Sequence, residues 1–359
     1  MARGEWLDPA LSRISFGEWS TQWLATQGHL KPSTRDRYER ILAIMVLPTW
    51  STIRLSAITH AEVAGWVTAL TVAGYAASTV RQAHRVLSLT LALAVRDGRL
   101  LRNPADGVRL PRSAKGDKMF LTHEEVARLA EAAGSDGLLI RVLAYTGLRW
   151  GELAALRVGR VDLMRRRLHV VEAASEVQGV MIFGTPKTHQ RRVIALPRML
   201  LDPLAAQMAG KSPSDLAFTS PDGAVLRNSN FRRRSFDAAA ASVGLAGLTP
   251  HDLRHTAASL AIQAGANVKV VQQMLGHASA AMTLDVYAGL FGDDLEAVAD
   301  SLDVAAEAAA DYLRTKTAQQ TVIELPRGGR TPSDLGFLEW GGRGSNPRPR
   351  DYESPALTD

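Results

Sequence analysis

The sequence predicts a mainly α-helical chain of two modules, the second of which carries a small antiparallel β-sheet. Three observations carry that reading. Apolar residues recur at helical spacing through residues 13–108 and again through most of 119–315. A stretch rich in Pro, Gly and basic side chains, NPADGVRLPRSAKGDK at 103–118, lies between the two. Between about residues 165 and 197 the pattern shortens to runs with period-two apolar positions, punctuated by Gly and Pro.

In the first module, Phe16, Trp19, Trp23 and Leu24 share one helical face. KPSTRDRYERILAIMVLP follows, with Ser33 or Thr34 as N-cap and Pro48 as a stop signal. Thr59 with Glu62 three residues on has the form of a capping box. ASTVRQAHRVLSLTLALAVRDG is a longer amphipathic helix ending near Gly98. Residues 13–108 therefore form a bundle of four helices, preceded by a polar, flexible 1–12. Arg35, Arg37, Arg40, Arg81, His84 and Arg85 decorate it; a solvated face and a phosphate-facing surface are both open readings.

Residues 109–118 are expected to be an exposed basic linker. The second module opens on Thr122 and Glu125, another capping box, and continues as a buried helix pair interrupted at Gly147. RRRLHVVEAA, EVQGVMIF and RRVIALP are expected as strands, with a hairpin turn at Gly184–Thr188 between the last two. MLLDPLAAQMAG is a helix, DLAFTS a further strand, and NSNFRRRSFDAAAASVGL a helix with a basic start. Three short helices span Thr249–Tyr287, and one or two Ala-rich helices close the folded part. Residues 316–359 are expected to be disordered. Within them, Gly344-Ser345-Asn346-Pro347 can be encoded by GGT-TCG-AAT-CC, the form of a bacterial tRNA T-arm, which suggests a reading frame running into a tRNA-like sequence.

Composition narrows the function classes. The 359 residues carry a net charge of +6, which favours a polyanionic partner. With no cysteine there is no disulfide, thiolate metal site or cysteine nucleophile, which fits a reducing cytoplasm. No apolar run is long enough to span a bilayer, and the N-terminus lacks a signal-peptide core, so no membrane association is expected.

Thr249–Tyr287 concentrates His251, Arg254, His277 and Tyr287. Cleaving a phosphodiester needs a nucleophile, cations on the non-bridging oxygens and a proton for the leaving oxygen. Nothing here has metal-ligand spacing, so no metal or cofactor is expected and the cations must be side chains. Arg is suited, because its planar fork grips two oxygens and stays charged. Arg149 and Glu152, at i and i+3, give a guanidinium held by a carboxylate. Taken singly, each feature has an ordinary structural reading: a surface ion pair, a loop-edge histidine, a packed tyrosine, a solvated Lys187 on a turn. Only the joint pattern points to chemistry.

That ordered set, TGLRWGE, TPKTHQRRVIAL, HDLRHTAAS, LGHAS and TLDVYAG, resembles the tyrosine recombinase family, bacteriophage integrases above all, over about residues 13–300. The resemblance implies a SAM-like core-site-binding bundle at 13–108, an α+β catalytic domain at 119–300 and a helix at 301–315 that docks on a neighbouring protomer. It implies that Arg149 and Arg254 clamp the scissile phosphate and that Tyr287 attacks it to give a 3′-phosphotyrosine. Lys187 would protonate the leaving 5′ oxygen, His251 handle the tyrosine proton, His277 hydrogen-bond the phosphate, and Glu152 support Arg149 and His251. Arg35, Arg37, Arg81, His84, Arg85, Arg191 and Arg232 are candidate DNA contacts. The implied partners are duplex attachment sites, three further protomers in a tetramer on two duplexes, and a host DNA-bending protein or excision factor, in the cytoplasm of a bacterial host at the nucleoid. Only about a dozen residues precede the bundle, so a further arm-site-binding domain is not expected. Chromosome or plasmid resolution, transposition and a non-catalytic DNA-binding regulator are the alternatives.

Overall fold

The computed structural model describes residues 11–112, 118–186, 191–291 and 295–320. The first module is built from four helical segments. Helix α1 (Phe16–Ala25) begins at Ser15, whose hydroxyl accepts from the Glu18 N–H while Glu18 accepts from the Ser15 N–H. Helix α2 (Pro32–Ile41) begins at Lys31, not at Ser33 or Thr34: Pro32 takes the first helical position, where its missing N–H is not needed. Pro48 does not stop the chain either. A π turn, Leu42–Val46, carries α2 into α3 (Leu47–Trp50), with the Leu47 N–H reaching back five residues to the Leu42 carbonyl. Pro48 thereby falls in the first turn of α3 and removes no hydrogen bond. Helices α4 (His60–Val72) and α5 (Ala77–Arg96) complete the bundle, α4 with the Thr59–Glu62 capping box.

Four tryptophans, Trp19, Trp23, Trp50 and Trp66, anchor this core. Trp50 and Trp66 meet edge to face at 6.0 Å, and the Trp19 indole N–H donates to the Thr90 carbonyl at 2.9 Å. Leu11–Arg13 form a short 3₁₀ turn, and the Leu11 carbonyl accepts from Arg99, so the end of the expected flexible lead-in is ordered. Residues 1–10 and 113–117, which include most of the expected lead-in and half of the expected linker, lie outside the described residues.

The second module starts with α6 (His123–Ala132), capped by Thr122 and Glu125 as expected, then α7 (Gly137–Thr146) and α8 (Trp150–Ala154). The strands are β1 (Val161–Asp162), β2 (Arg167–Val170), β3 (Ala173–Val177), β4 (Val180–Gly184) and β5 (Arg192–Ala195). They form two small antiparallel sheets, one in the order β1-β2-β5 and one pairing β3 with β4. EVQGVMIF is therefore a hairpin and not one strand. Gln178 and Gly179 both take positive φ, 50° and 82°, the geometry of a two-residue turn that matches strand twist. The segment after Gly184 joins two sheets instead of closing a hairpin, because β5 pairs with β2, His169 facing Val193. DLAFTS contributes a single bridge, Leu216 to Arg157, and no strand.

Helix α9 (Leu201–Met208) and α10 (Asn228–Phe231) follow; a second π turn, Arg232–Phe236, leads from α10 into α11 (Asp237–Ser242). The last helices around the site are α12 (Asp252–Gln263), α13 (Val268–Leu275) and α14 (Ala280–Tyr287). Leu129, Ile140, Leu143, Leu153, Leu168, Phe231, Phe236 and Leu253 are among the side chains of the main core of this module. A smaller cluster of Ala258, Ile262, Val271, Leu275 and Tyr287 ties α12, α13 and α14 together.

The chain divides into two units, residues 1–292 and residues 293–359. In the second, α15 (Leu295–Gln320) is one helix, where the sequence left one or two open, and it runs into the segment expected to be disordered from 316. Residues 321–359, with the tRNA-like tetrapeptide, lie outside the described residues. Among the described residues no helix is long and apolar enough to cross a membrane.

Candidate active site

Arg149 and Glu152 meet as their spacing suggests, but not along a helix face. Arg149 is the extended residue preceding α8 (φ −71°, ψ 150°), and Glu152 is in the helix's first turn. One Glu152 oxygen accepts from the Arg149 backbone N–H at 2.9 Å; the other accepts from Arg149 Nη1 at 2.9 Å. The carboxylate thus caps the helix and orients the guanidinium together. Arg149 Nη2 also lies 3.4 Å from the Gly276 carbonyl.

A residue that the sequence reading passed over holds this pair. Arg192, at the start of β5, makes two bonds to Glu152, at 2.9 and 2.6 Å, and a third from Nε to the Met274 carbonyl at 2.9 Å. The Arg192 and Glu152 side chains are only 8% and 1% exposed. Burial pushes the Glu152 carboxyl up, but Arg192's hydrogen bonds and charge, with those of Arg149, outweigh it and leave the group below the ordinary carboxylate value. The signal was present in QRRVIAL: strand alternation puts Arg192 with buried Ile194 on the inner face and exposed Arg191 with Val193 on the outer one.

Arg254, buried in α12, donates to the carbonyls of Gly147 and Leu275. Burial, reinforced by the charge of Arg149, lowers its guanidinium to about 9. Gly147 lets Leu275 pack close against this turn. Its φ is +64°, and a Cβ there would sit 2.7 Å from a Leu275 methyl. Gly147→Ala is expected to cost about 1–3 kcal/mol from the left-handed backbone alone, plus the clash. Gly74→Ala is the matched control, since Gly74 has φ +84° and open space around it. Equal melting temperatures for the two variants would remove the clash from the account.

His251 and Arg254, paired in sequence, part in the structure: His251 is exposed and Arg254 buried. One residue beyond Arg254 stands His255, also missed from sequence, its ring 5.1 Å from that of His251. Its Nδ1 lies 2.8 Å from Tyr287 Oη. Tyr287 is 1% exposed, and burial pushes its phenol up to about 12, with Arg254 pulling the other way. His277 follows the left-handed Gly276 (φ 64°) at the end of α13, and its Nδ1 lies 3.0 Å from Thr283 Oγ1. Burial, then Arg254 and Arg149, lower it to about 4, so the ring is neutral. Lys187 lies outside the described residues.

An open cleft of about 960 Å³ runs between the two modules. Lys31, Arg37 and Arg85 line one wall; Arg149, Glu152, Ser175 and Thr185 line the other. Of the expected DNA contacts, only Arg37 and Arg85 face it. Arg35 pairs with Glu39, Arg81 donates to the Pro111 carbonyl, and Arg232 pairs with Asp237. His84 is turned to the Ala105 carbonyl at 3.0 Å, holding the segment after α5, and exposed Arg191 is not part of the lining. Lys31 was not anticipated. Its ammonium donates across the cleft to the carbonyls of Thr185 and Pro186, at 3.1 and 3.0 Å.

A helical bundle joined to an α+β module whose arginines converge beside a buried tyrosine is the architecture of DNA-cleaving and rejoining integrases. The fold matches the Tn1549 transposon integrase in complex with a circular intermediate DNA, with a TM-score of 0.70 at 19% identity over 81% of this chain and 99% of that one. It also matches a lambda integrase tetramer bound to a Holliday junction, with a TM-score of 0.59 at 21% identity over 76% and 77%. The sequence profile of the phage integrase family covers residues 119–291, and that of the phage integrase N-terminal SAM-like domain covers 15–71. The integrase of Mycobacterium phage L5 is 30% identical over 305 residues, 82% of this chain and 80% of the relative. Tyrosine recombinase XerC of Mycobacterium tuberculosis is 30% identical over 240 residues, 64% and 78%. The chain belongs to the phage integrase family of tyrosine recombinases, the site-specific DNA recombinases.

Proposed function

We propose that this chain integrates a mobile or phage genome by cutting and rejoining DNA through a phosphotyrosine bond to Tyr287. The observation that carries the reading is the convergence of Arg149 and Arg254 on the loop Leu275–Gly276, with Tyr287 in the same small core as Leu275. Two guanidiniums there would hold the non-bridging oxygens of one phosphate, and His277 beside them would add a neutral hydrogen bond. The Tyr287 oxygen attacks phosphorus, the bond to the 5′ oxygen breaks, and Lys187 supplies that oxygen's proton. The new ester keeps the energy of the broken bond, so joining to another strand draws on neither a nucleotide nor a metal ion.

Exchange between two duplexes requires four strand cleavages. With one Tyr287 per chain, that calls for four protomers. Exposed Leu302 and Val304 on α15 suit this helix to contact a neighbour. Arg37 and Arg85 would follow the backbone of attachment-site DNA, with a host bending protein or excision factor setting direction, at the nucleoid of a bacterial host. Resolution of chromosome or plasmid multimers is the second reading, favoured by the likeness to XerC. The test is a duplex nicked close to the cleavage point, which traps the intermediate. The native chain should form a covalent adduct and Tyr287→Phe none; absence of adduct with the native chain on its own attachment DNA would end the proposal.

A further inference from the structure

Helix α12 presents two adjacent residues to two different places. Arg254 turns to the carbonyls of Gly147 and Leu275; His255, one residue on, turns to Tyr287. The Tyr287 phenol is shut in among apolar side chains, with Phe120 against it at 6.4 Å between ring centroids. From there His255 leads outward. The exposed His251 ring stands edge-on to it at 5.1 Å, and Phe120 closes its other side at 6.5 Å.

We propose that His255, and not His251, accepts the proton of Tyr287 as its oxygen attacks phosphorus. The inference rests on the recombinase reading with Tyr287 as nucleophile. A base must lie within about 2.6–3.2 Å of the atom that carries the proton it removes, and His255 Nδ1 lies 2.8 Å from Tyr287 Oη. With the ring proton on Nε2, Nδ1 has a lone pair facing the hydroxyl. In cleavage the O–H bond breaks, its electron pair forms the bond to phosphorus and the proton moves to Nδ1. In rejoining the imidazolium returns that proton to the departing phenolate oxygen. The charges around the ring keep it neutral before cleavage and also make it a weak base, so the proton crosses only as the bond to phosphorus forms. His251, Lys118 and Arg254 oppose its protonation and Asp252 alone favours it; burial comes first among the causes that bring it to about 4. The phenol, raised by the same burial, cannot shed its proton unaided near neutral pH.

The experiment measures single-turnover adduct formation on the nicked duplex at saturating protein. It uses the native chain, His255→Gln and His251→Gln, each with tyrosine or the more acidic 3-fluorotyrosine at position 287. His255→Gln should bind DNA normally and cleave about 10²–10⁴-fold more slowly, the usual worth of a positioned acid or base. Fluorination should restore at least about tenfold of that loss while changing the native rate little, because an acidic phenol needs its base less. His251→Gln should lose less than His255→Gln. Should glutamine disturb the packing, seen as lost DNA binding or a lowered melting temperature, His255→Asn repeats the measurement with a shorter side chain. Three outcomes overturn the proposal. One is a His255 variant as fast as the native chain, or faster, which makes the contact a restraint on the phenol. Another is a defect that fluorination does not relieve, which makes the role structural. The third is a larger loss in His251→Gln than in His255→Gln. A native chain that forms no adduct would refute the recombinase reading itself, a result distinct from all three.

Discussion

Substituting Arg254→Lys is expected to slow single-turnover cleavage by about 10²–10³-fold, the cost of removing one preorganised donor from a developing oxyanion, with little change in duplex affinity. The guanidinium spans two carbonyls, of Gly147 and Leu275, from a fully packed helix. A lysine has one nitrogen on a flexible stem and cannot hold both carbonyls and a phosphate oxygen at once. Affinity is expected to persist because many backbone phosphates are contacted along a site, and each is a small part of the whole. Single-turnover kinetics beside a gel-shift titration separate the two quantities. A variant that cleaves normally would show that Arg254 serves the fold alone.

The second large effect concerns Arg192. Arg192→Leu strands the Glu152 carboxylate, 1% exposed, with Arg149 as its remaining cation. Removing one partner of a buried ion pair costs about 3–5 kcal/mol, to be read from denaturant unfolding. Cleavage should fall as well, since Glu152 orients Arg149 and Arg192 holds the Met274 carbonyl just ahead of His277. The double variant Arg192→Leu with Glu152→Leu should recover part of the stability, because the stranded carboxylate is gone although Arg149 and Arg254 lose their shared counter-charge, and it should remain slow to cleave. If the double variant is as unstable as the single, packing around Arg192 and not its charge holds the loop.

Much of the architecture could be read from local chemistry. Thr59 with Glu62 and Thr122 with Glu125 start helices because a hydroxyl and a carboxylate three residues apart satisfy orphan N–H groups without outside help. Gly98 and Gly276 end them in left-handed turns. The misreadings arose where the outcome depends on distant chain. Pro48 stops a regular α-helix, but a π turn shifts the register so that nothing is lost. The pairing of β5 with β2 joins residues more than twenty apart, and turn residues near Gly184 carry no information about it.

At the site, the spacing of Arg149 and Glu152 disclosed their partnership but not that Arg149 precedes the helix. His251 caps α12 and His255 lies one turn on, so the sequence alone does not tell which of them faces Tyr287; the docking of α14 decides it. Arg192 was legible from alternation along β5, yet it was overshadowed by its neighbour Arg191, which points outward. The basic residues of the bundle divide between the cleft and local partners for the same reason: charge is visible in a sequence, and direction is not.

The sharing of Glu152 by two arginines has an electrostatic consequence. Arg149, Arg192 and Arg254 set three positive charges around a single carboxylate, so two are left unbalanced within this group. Their mutual repulsion adds to burial in lowering Arg254 to about 9. A phosphodiester bound there brings one negative charge and relieves part of that repulsion. The five-coordinate phosphorus formed during attack brings two, and neutralises the group. Repulsion among the arginines is thereby converted into a preference for the transition state over the bound substrate. A second carboxylate would make the cluster more comfortable at rest and, by the same charge count, a poorer catalyst.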